Sequence, residues 1–323
     1  MVWLGFSGLV ALLLILDLGI LNRRAHVLSN REALAWSGGL VTLALLFGGF
    51  LWFREGAVSA LEYYTGYLIE LSLSVDNLFV FILIFQYFAV PAELQPRVLK
   101  WGILGAIVMR GAMIALGSLV LLEFEWVLLL FGAILVVTGI RMFRGGEERI
   151  EPEKNPVIRL ARRVLPIANA YNGQSFVVRG PRGWLATPLV VVILFVEWSD
   201  LVFAIDSIPA VFAVTRDPFI VYSSNVFAIL GLRALYFLLA GALDRFRYLK
   251  PGVALILVFV GVKMLVGEWV HLPTVVSLAV VVVVLSFSVA ASLLWSGPAA
   301  ERFGRAARTP AVPVGRHGAD PKR

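Results

Sequence analysis

Five carboxylates lie inside stretches of this chain that are otherwise apolar enough to cross a bilayer: Glu70, Asp76, Glu197, Asp200 and Asp206. Charge at that depth costs about 2.5 kcal/mol upward, so it is rarely retained without a use. The acids fall in two segments, Glu70 to Phe81 (ELSLSVDNLFVF) and Glu197 to Val211 (EWSDLVFAIDSIPAV). Setting Asp76 on Asp206 places Glu70 on Asp200 and Asn77 on Ser207. Two acidic membrane segments in corresponding places point to a central cation site.

At about 100° per residue, Glu70 and Asn77 share one helix face, as do Asp200 and Ser207, with Glu197 on the side of Asp200. Asp76 and Asp206 stand about 120° away, so unbroken helices would not aim every acid at one ion. Pro209 removes a backbone donor just after Asp206, which predicts local unwinding of that span and of its partner around Asp76. Freed carbonyls would then join the ligands, as in the broken helices of transporters. Two guanidinium groups, Arg110 and Arg233, lie deep enough to offset part of the acid, while Arg141 and Lys263 sit nearer span ends. Acids still exceed cations, and a divalent ion or protons must offset the rest. The donors are hard oxygens, which suit manganese, magnesium or calcium and argue against copper(I) or thiolate-bound metals.

The elements that hold these residues are membrane spans. The chain has 323 residues, 60% hydrophobic and 15% charged, with a strongly positive mean hydropathy; a soluble domain of that size needs more polar surface. Nine apolar runs reach spanning length, near 2–21, 35–53, 64–88, 99–122, 124–143, 187–214, 219–241, 251–268 and 272–295. The predicted fold class is an all-α polytopic membrane protein. Its organisation reads as an N-terminal two-helix hairpin (1–63), a first repeat (64–143), a cytoplasmic loop (144–186), a second repeat (187–268), a last span (269–296) and a disordered tail (297–323). Loops after odd-numbered spans and the tail carry 22 Lys and Arg, against Arg54 and Arg216 after even-numbered spans. That bias puts the N-terminus outside and the C-terminus in the cytoplasm, in what reads as a bacterial inner membrane. The first span has no preceding basic residue and is interrupted by Asp17, unlike a signal peptide. No Cys is present and the His are at 26, 271 and 317, near or beyond span ends, so thiolate or His-based metal chemistry is not expected.

The duplication extends beyond the acids. GAIVMRGAMIALG (105–117) matches ILGLRALYFLLAG (229–241), each with its deep Arg, and LVVTGIRMF (135–143) matches LVFVGVKML (257–265). Three spans per unit is an odd number, so the copies must run in opposite orientations, an architecture shared by many secondary transporters. A plainer role is open for each feature. Arg110 and Arg233 fit structural salt bridges with the acids as their partners. Glu123 and Glu125 fit solvated loop charges, and Gly105, Gly111, Gly117, Gly231 and Gly241 fit close packing between helices.

The segments 16–37, 66–91, 101–117, 196–239 and 261–265, with the VDN and EWSDLVFAIDSIPAVFAVT blocks most specific, resemble the TerC family of integral membrane proteins, in particular its Alx-like, manganese-exporting members. The resemblance implies a nine-span transporter-like fold with a metal path lined by Glu70, Asp76, Asn77, Glu197, Asp200 and Asp206. It also supplies manganese itself and the outward direction. Leu71 departs from the pattern, where relatives often have Lys, and the cluster has one fewer counter-charge there. The expectation is a secondary transporter, not an enzyme, with no permanently bound cofactor and Mn2+ as cargo. Expected partners are the lipid bilayer and a divalent ion, with proton coupling through the same acids and no nucleic acid. No Walker motif is present to drive transport with nucleotide. Two other classes differ in what they require. A membrane scaffold, or a tellurite-resistance protein, would dock partners on the basic loop and tail. An intramembrane aspartyl protease would need Gly-x-Gly-Asp, where Ala204 and Ile205 precede Asp206 instead.

Overall fold

In the computed structural model the described residues are 2–16, 29–124, 126–144, 160, 163, 165–168, 170–180, 183–240, 248–267 and 272–294, with the side chains of Asn30, Asp76, Phe79 and Leu239 excepted. They form nine helices and one small hairpin. The helices are α1 (Val2–Leu14), α2 (Asn30–Glu55), α3 (Ala57–Tyr87), α4 (Gln95–Glu123), α5 (Val127–Phe143), α6 (Pro188–Phe212), α7 (Pro218–Leu239), α8 (Leu249–Leu265) and α9 (Thr274–Leu294). Strands β1 (Val177–Gly180) and β2 (Gly183–Ala186) pair antiparallel. Six of these helices, α2, α3, α4, α6, α7 and α9, are long and apolar enough to cross a bilayer; α1 and α5 are apolar but shorter.

Each expected apolar run holds a helix among its described residues, and the ends follow local chemistry. Ser29 and Glu32 form a reciprocal capping box that starts α2 earlier than its apolar run. Gly56, at φ 97°, is the lone residue between α2 and α3. The domain boundary expected at 63/64 therefore falls inside α3, which begins seven residues before 64. Segment 57–63 is helical because its apolar members pack inward: Ala60 and Tyr63 are fully buried. Asp217 caps α7 by accepting from the Phe219 N–H at 2.8 Å.

Around Asp76 and Pro209 the expected unwinding does not occur. Helices α3 and α6 run unbroken through both positions. Pro209 lies one turn from the end of α6, so only the Ile205 carbonyl loses its usual donor and the rest of the ladder is kept.

Helices α3 and α7 occupy the centre, α7 buried on nearly every face. Both contact α6, and α4 packs on α6 and α7. The most extensive helix pair is α5 with α8. A Cβ on Gly132 would lie 3.0 Å from the Gly261 carbonyl oxygen, and one on Gly261 2.7 Å from that of Gly132. Gly139 meets the Ala254 carbonyl oxygen in the same way, at 2.8 Å. The pairs 132/261 and 139/254 run in opposite order, so α5 and α8 lie antiparallel with backbones in direct contact, as small residues permit.

Part of segment 144–186, expected only as a loop, is folded. The Arg97 guanidinium stacks 4.5 Å over Phe176 and donates to Gln174 at 2.9 Å, docking the hairpin region on the start of α4. Tyr171 donates to the Phe88 carbonyl at 2.8 Å, and burial pushes its phenol up to about 12. The tail expected at 297–323 lies outside the described residues.

Candidate functional site: a buried carboxylate–guanidinium network

Three helices bring the sequence-predicted charges together. Arg110, one of the largest fully buried side chains, projects from the middle of α4 between α3 and α6. Its Nε and Nη2 donate to Asp200 Oδ2 and Oδ1 at 3.2 and 3.0 Å, a bidentate fork on one carboxylate. Nη1 turns to the other side, donating to Glu70 Oε1 and lying 3.0 Å from Ser207 Oγ and 2.9 Å from Asn225 Oδ1. Two Nη1 protons serve three acceptors, so one is shared. Arg110 is thus ion-paired with both Glu70 and Asp200.

The α-helical period explains the selection. Asp200 and Ser207, seven apart on α6, both reach Arg110. Asp206 does not: it points to α5, where Thr138 Oγ1 donates to its Oδ1 at 3.0 Å. Glu197 is half-buried, and its carboxylate occupies the space that a Cβ on Gly105 of α4 would fill. Gly105 is therefore a notch for an acid, while Gly111 and Gly117 pack against Tyr222 and Phe212 as close-packing glycines. Gly231 makes no such close approach, and Gly241 lies outside the described residues. Arg233 is buried on α7, eight residues beyond Asn225 and so about 12 Å along the axis. Arg141 is exposed at the end of α5, and Lys263 donates to Ser277 at 2.9 Å. The Asp76 side chain lies outside the described ones.

The described acids thus face different neighbours and do not form one cage. Among the described residues, no three acidic side chains gather as a metal ligand set. The reason is geometric: the Arg110 guanidinium fills the space between Glu70 and Asp200, and Asp206 faces another helix. The network sets two carboxyl groups against one guanidinium in a fully buried place. Glu70 Oε2 and Asn77 Nδ2 have no hydrogen-bond partner among the described residues. Such groups carry a desolvation cost of about 1–3 kcal/mol each, more when charged.

Two partners escaped the sequence reading. Asn225 and Thr138 are uncharged, and a single amide or hydroxyl in an apolar span is cheap enough to pass for packing. The run Ser223-Ser224-Asn225, all fully buried, was the available signal.

Comparison with known proteins agrees with the membrane architecture. A membrane protein of Myxococcus xanthus with no assigned role is 48% identical over 294 residues, covering 91% of this chain and 92% of the relative. A protein of Escherichia coli K12 named Alx, a proposed membrane-bound redox modulator, is 48% identical over 298 residues, covering 89% and 93%. A Rickettsia felis membrane protein is 42% identical over 294 residues, covering 91% and 98%. No solved structure matches the chain. The integral membrane protein TerC family matches residues 55–299, which contain the whole buried network, and the chain belongs to that family.

Proposed function

We propose that this protein is a secondary transporter that exports divalent cations, Mn2+ foremost, through nine membrane spans built on two inverted three-helix units. The observation that carries the reading is the fully buried network of Glu70, Arg110 and Asp200 with one acid in excess. A purely structural pair would balance its charges, because an uncompensated buried ion costs several kcal/mol. The excess acid, the partner-free Glu70 Oε2 and the Asn77 amide form a hard-oxygen site in which a cation or a proton supplies the missing charge.

The repeat finds support in packing. Offsetting α5 by 122 residues sets Gly139 on Gly261, Gly132 on Ala254 and Val136 on Val258. The contacts obey the same exchange: Gly139 meets Ala254 and Val258, and Gly261 meets Gly132 and Val136. Reciprocal contacts between equivalent residues on antiparallel helices are what a two-fold axis in the membrane plane produces. In this reading the cation moves by way of the half-buried Glu197 and Asp206, and Asp76, with the Arg110 network closing the centre between them. The basic loops orient the chain with its N-terminus outside the inner membrane.

Flux into inverted vesicles tests the proposal. Wild-type protein should accumulate Mn2+, and Asp76→Asn, Asp200→Asn and Asp206→Asn, each of which removes charge and keeps shape, should lose most of it. A folded wild type with no flux of any divalent ion would leave the scaffold or tellurite-resistance reading as the better one. The redox role in the relatives' name cannot here rest on thiol–disulfide exchange, because the chain has no Cys.

A further inference from the structure

We propose that one face of α3 is the route by which protons reach the buried carboxylates, and that the Tyr63 hydroxyl is a relay on it. Tyr63, Tyr67, Glu70, Ser74 and Asn77 follow spacings of four, three, four and three, so they share one helix face, and all five are buried. From Tyr63 to Asn77 the stripe runs 14 residues, about 21 Å of the bilayer's roughly 30 Å core. Four atoms on it, Tyr63 Oη, Glu70 Oε2, Ser74 Oγ and Asn77 Nδ2, have no hydrogen-bond partner among the described residues. One such atom is a local defect. Four along one face, each carrying about 1–3 kcal/mol of desolvation, form a line along which water and protons are the natural partners.

Tyr63 is the informative member. Its ring stacks parallel to Tyr67 with centroids 6.2 Å apart and meets Phe47 at 5.4 Å and Phe227 at 6.3 Å. Packing therefore accounts for the ring and would be met equally by Phe; it does not account for the hydroxyl. Between Tyr63 and Glu70, on the same face, Gly66 opens the way to α7: a Cβ there would lie 3.1 Å from Ser224 Oγ. The Ser224 hydroxyl donates to the Val221 carbonyl, which leaves its lone pairs to accept. The next residue, Asn225, belongs to the Arg110 network.

This inference rests on the transport reading and gives it a coupling ion. With the N-terminus outside, α3 starts at the outer face, Tyr63 is about 9 Å in, and Glu70 lies near the helix middle. A proton entering from outside binds the Tyr63 oxygen as the phenol's own proton leaves toward Glu70, so the tyrosine ends neutral. The stripe delivers that proton to the edge of the buried network, where Arg110 keeps its fork on Asp200. The cation, moving outward, runs against this proton. Among the described residues, Arg110 from α4 and Asp200 from α6 face the stripe's centre.

The test uses full-length protein in liposomes with two readouts: Mn2+/Mn2+ tracer exchange without a pH gradient, and proton movement on imposing a Mn2+ gradient, followed with an enclosed pH dye. Tyr63→Phe should keep exchange within about twofold and lose tenfold or more of the proton movement. Ser224→Ala should do the same in milder degree. Tyr64→Phe, whose hydroxyl donates to the Leu45 carbonyl instead, should change neither. Wild-type proton movement in Tyr63→Phe overturns the route and leaves transport standing. Loss of both readouts in folded Tyr63→Phe also overturns it, by placing Tyr63 on the cation path. A wild type that exchanges no Mn2+ removes the transport reading and the route together.

Discussion

Replacing Arg110 by Met keeps most of the side-chain volume and removes the guanidinium. The result would strand Glu70 and Asp200, both nearly or fully buried, without their shared cation, and would free Ser207 Oγ and Asn225 Oδ1 of their donor. Breaking a buried ion pair by removing one partner costs about 3–5 kcal/mol, because the remaining charge is left uncompensated. With two carboxylates stranded, the upper end applies. At about 2–4 °C per kcal/mol in domains of 150–250 residues, the shift in melting temperature is on the order of 10 °C. The companion is the triple variant Arg110→Met, Glu70→Gln, Asp200→Asn, whose core is neutral. Replacing a whole buried ionic set is often nearly neutral in stability, so the triple variant should recover most of the loss. Thermal unfolding of purified protein in detergent reads both. A single variant that melts within about 2 °C of wild type, or a triple variant no more stable than the single, would refute the reasoning that the acids are ionised and held by Arg110. Stability is read here without any assumption about transport.

Two further outcomes follow from the glycines. Gly105→Ala puts a methyl where the Glu197 carboxylate sits, so that acid must swing away while α4 keeps its fold; cation flux should fall severalfold with a melting temperature near wild type, and unchanged flux would show that the position of Glu197 is immaterial. Gly261→Ala sets a methyl 2.7 Å from the Gly132 carbonyl oxygen, a backbone atom with nowhere to go, so α5 and α8 must separate. Overpacking of that kind costs about 1–3 kcal/mol, and the matched Gly132→Ala should cost a similar amount; thermal unfolding of the two variants checks the equivalence.

The fold was legible because a membrane span is the least ambiguous pattern a sequence contains. A run of Leu, Val and Phe long enough for the hydrocarbon has few other uses, and each such run here holds a helix among its described residues. The break between α2 and α3 falls at Gly56, whose positive φ sets it, and a lone glycine among many in apolar sequence carries no boundary signal. The hairpin near Phe176 was missed because its fold depends on Arg97 and Trp101 of α4, contacts with no local signature. At the site, periodicity separated Asp206 from Asp200 correctly. Pro209 does not break α6 because it stands one turn from the helix end, where a missing donor costs a single ladder bond.

That continuity changes what a transport mechanism would have to be. Broken helices supply carbonyl ligands and a hinge at the same place. Here α3 and α6 are continuous, so their backbone carbonyls remain in the helix ladder apart from Ile205. Coordination must then come from side chains, and the group between the two central carboxylates is Arg110. A divalent ion cannot bridge Glu70 and Asp200 while the guanidinium does, because both need the same lone pairs. Transport through this centre therefore requires Arg110 to give up one carboxylate for each ion passed. Its contacts fit that exchange: a bidentate grip on Asp200, and a single Nη1 toward Glu70 whose two protons also serve Ser207 and Asn225. When the Glu70 contact breaks, Nη1 keeps two acceptors, and the arginine stays anchored while Glu70 turns to a proton or an ion. An Arg110→Lys variant, with a point charge in place of the fork, would hold one acid or the other but not both. It should therefore fold better than Arg110→Met and still fail to transport; Arg110→Lys with wild-type flux would show that the fork has no part in the exchange.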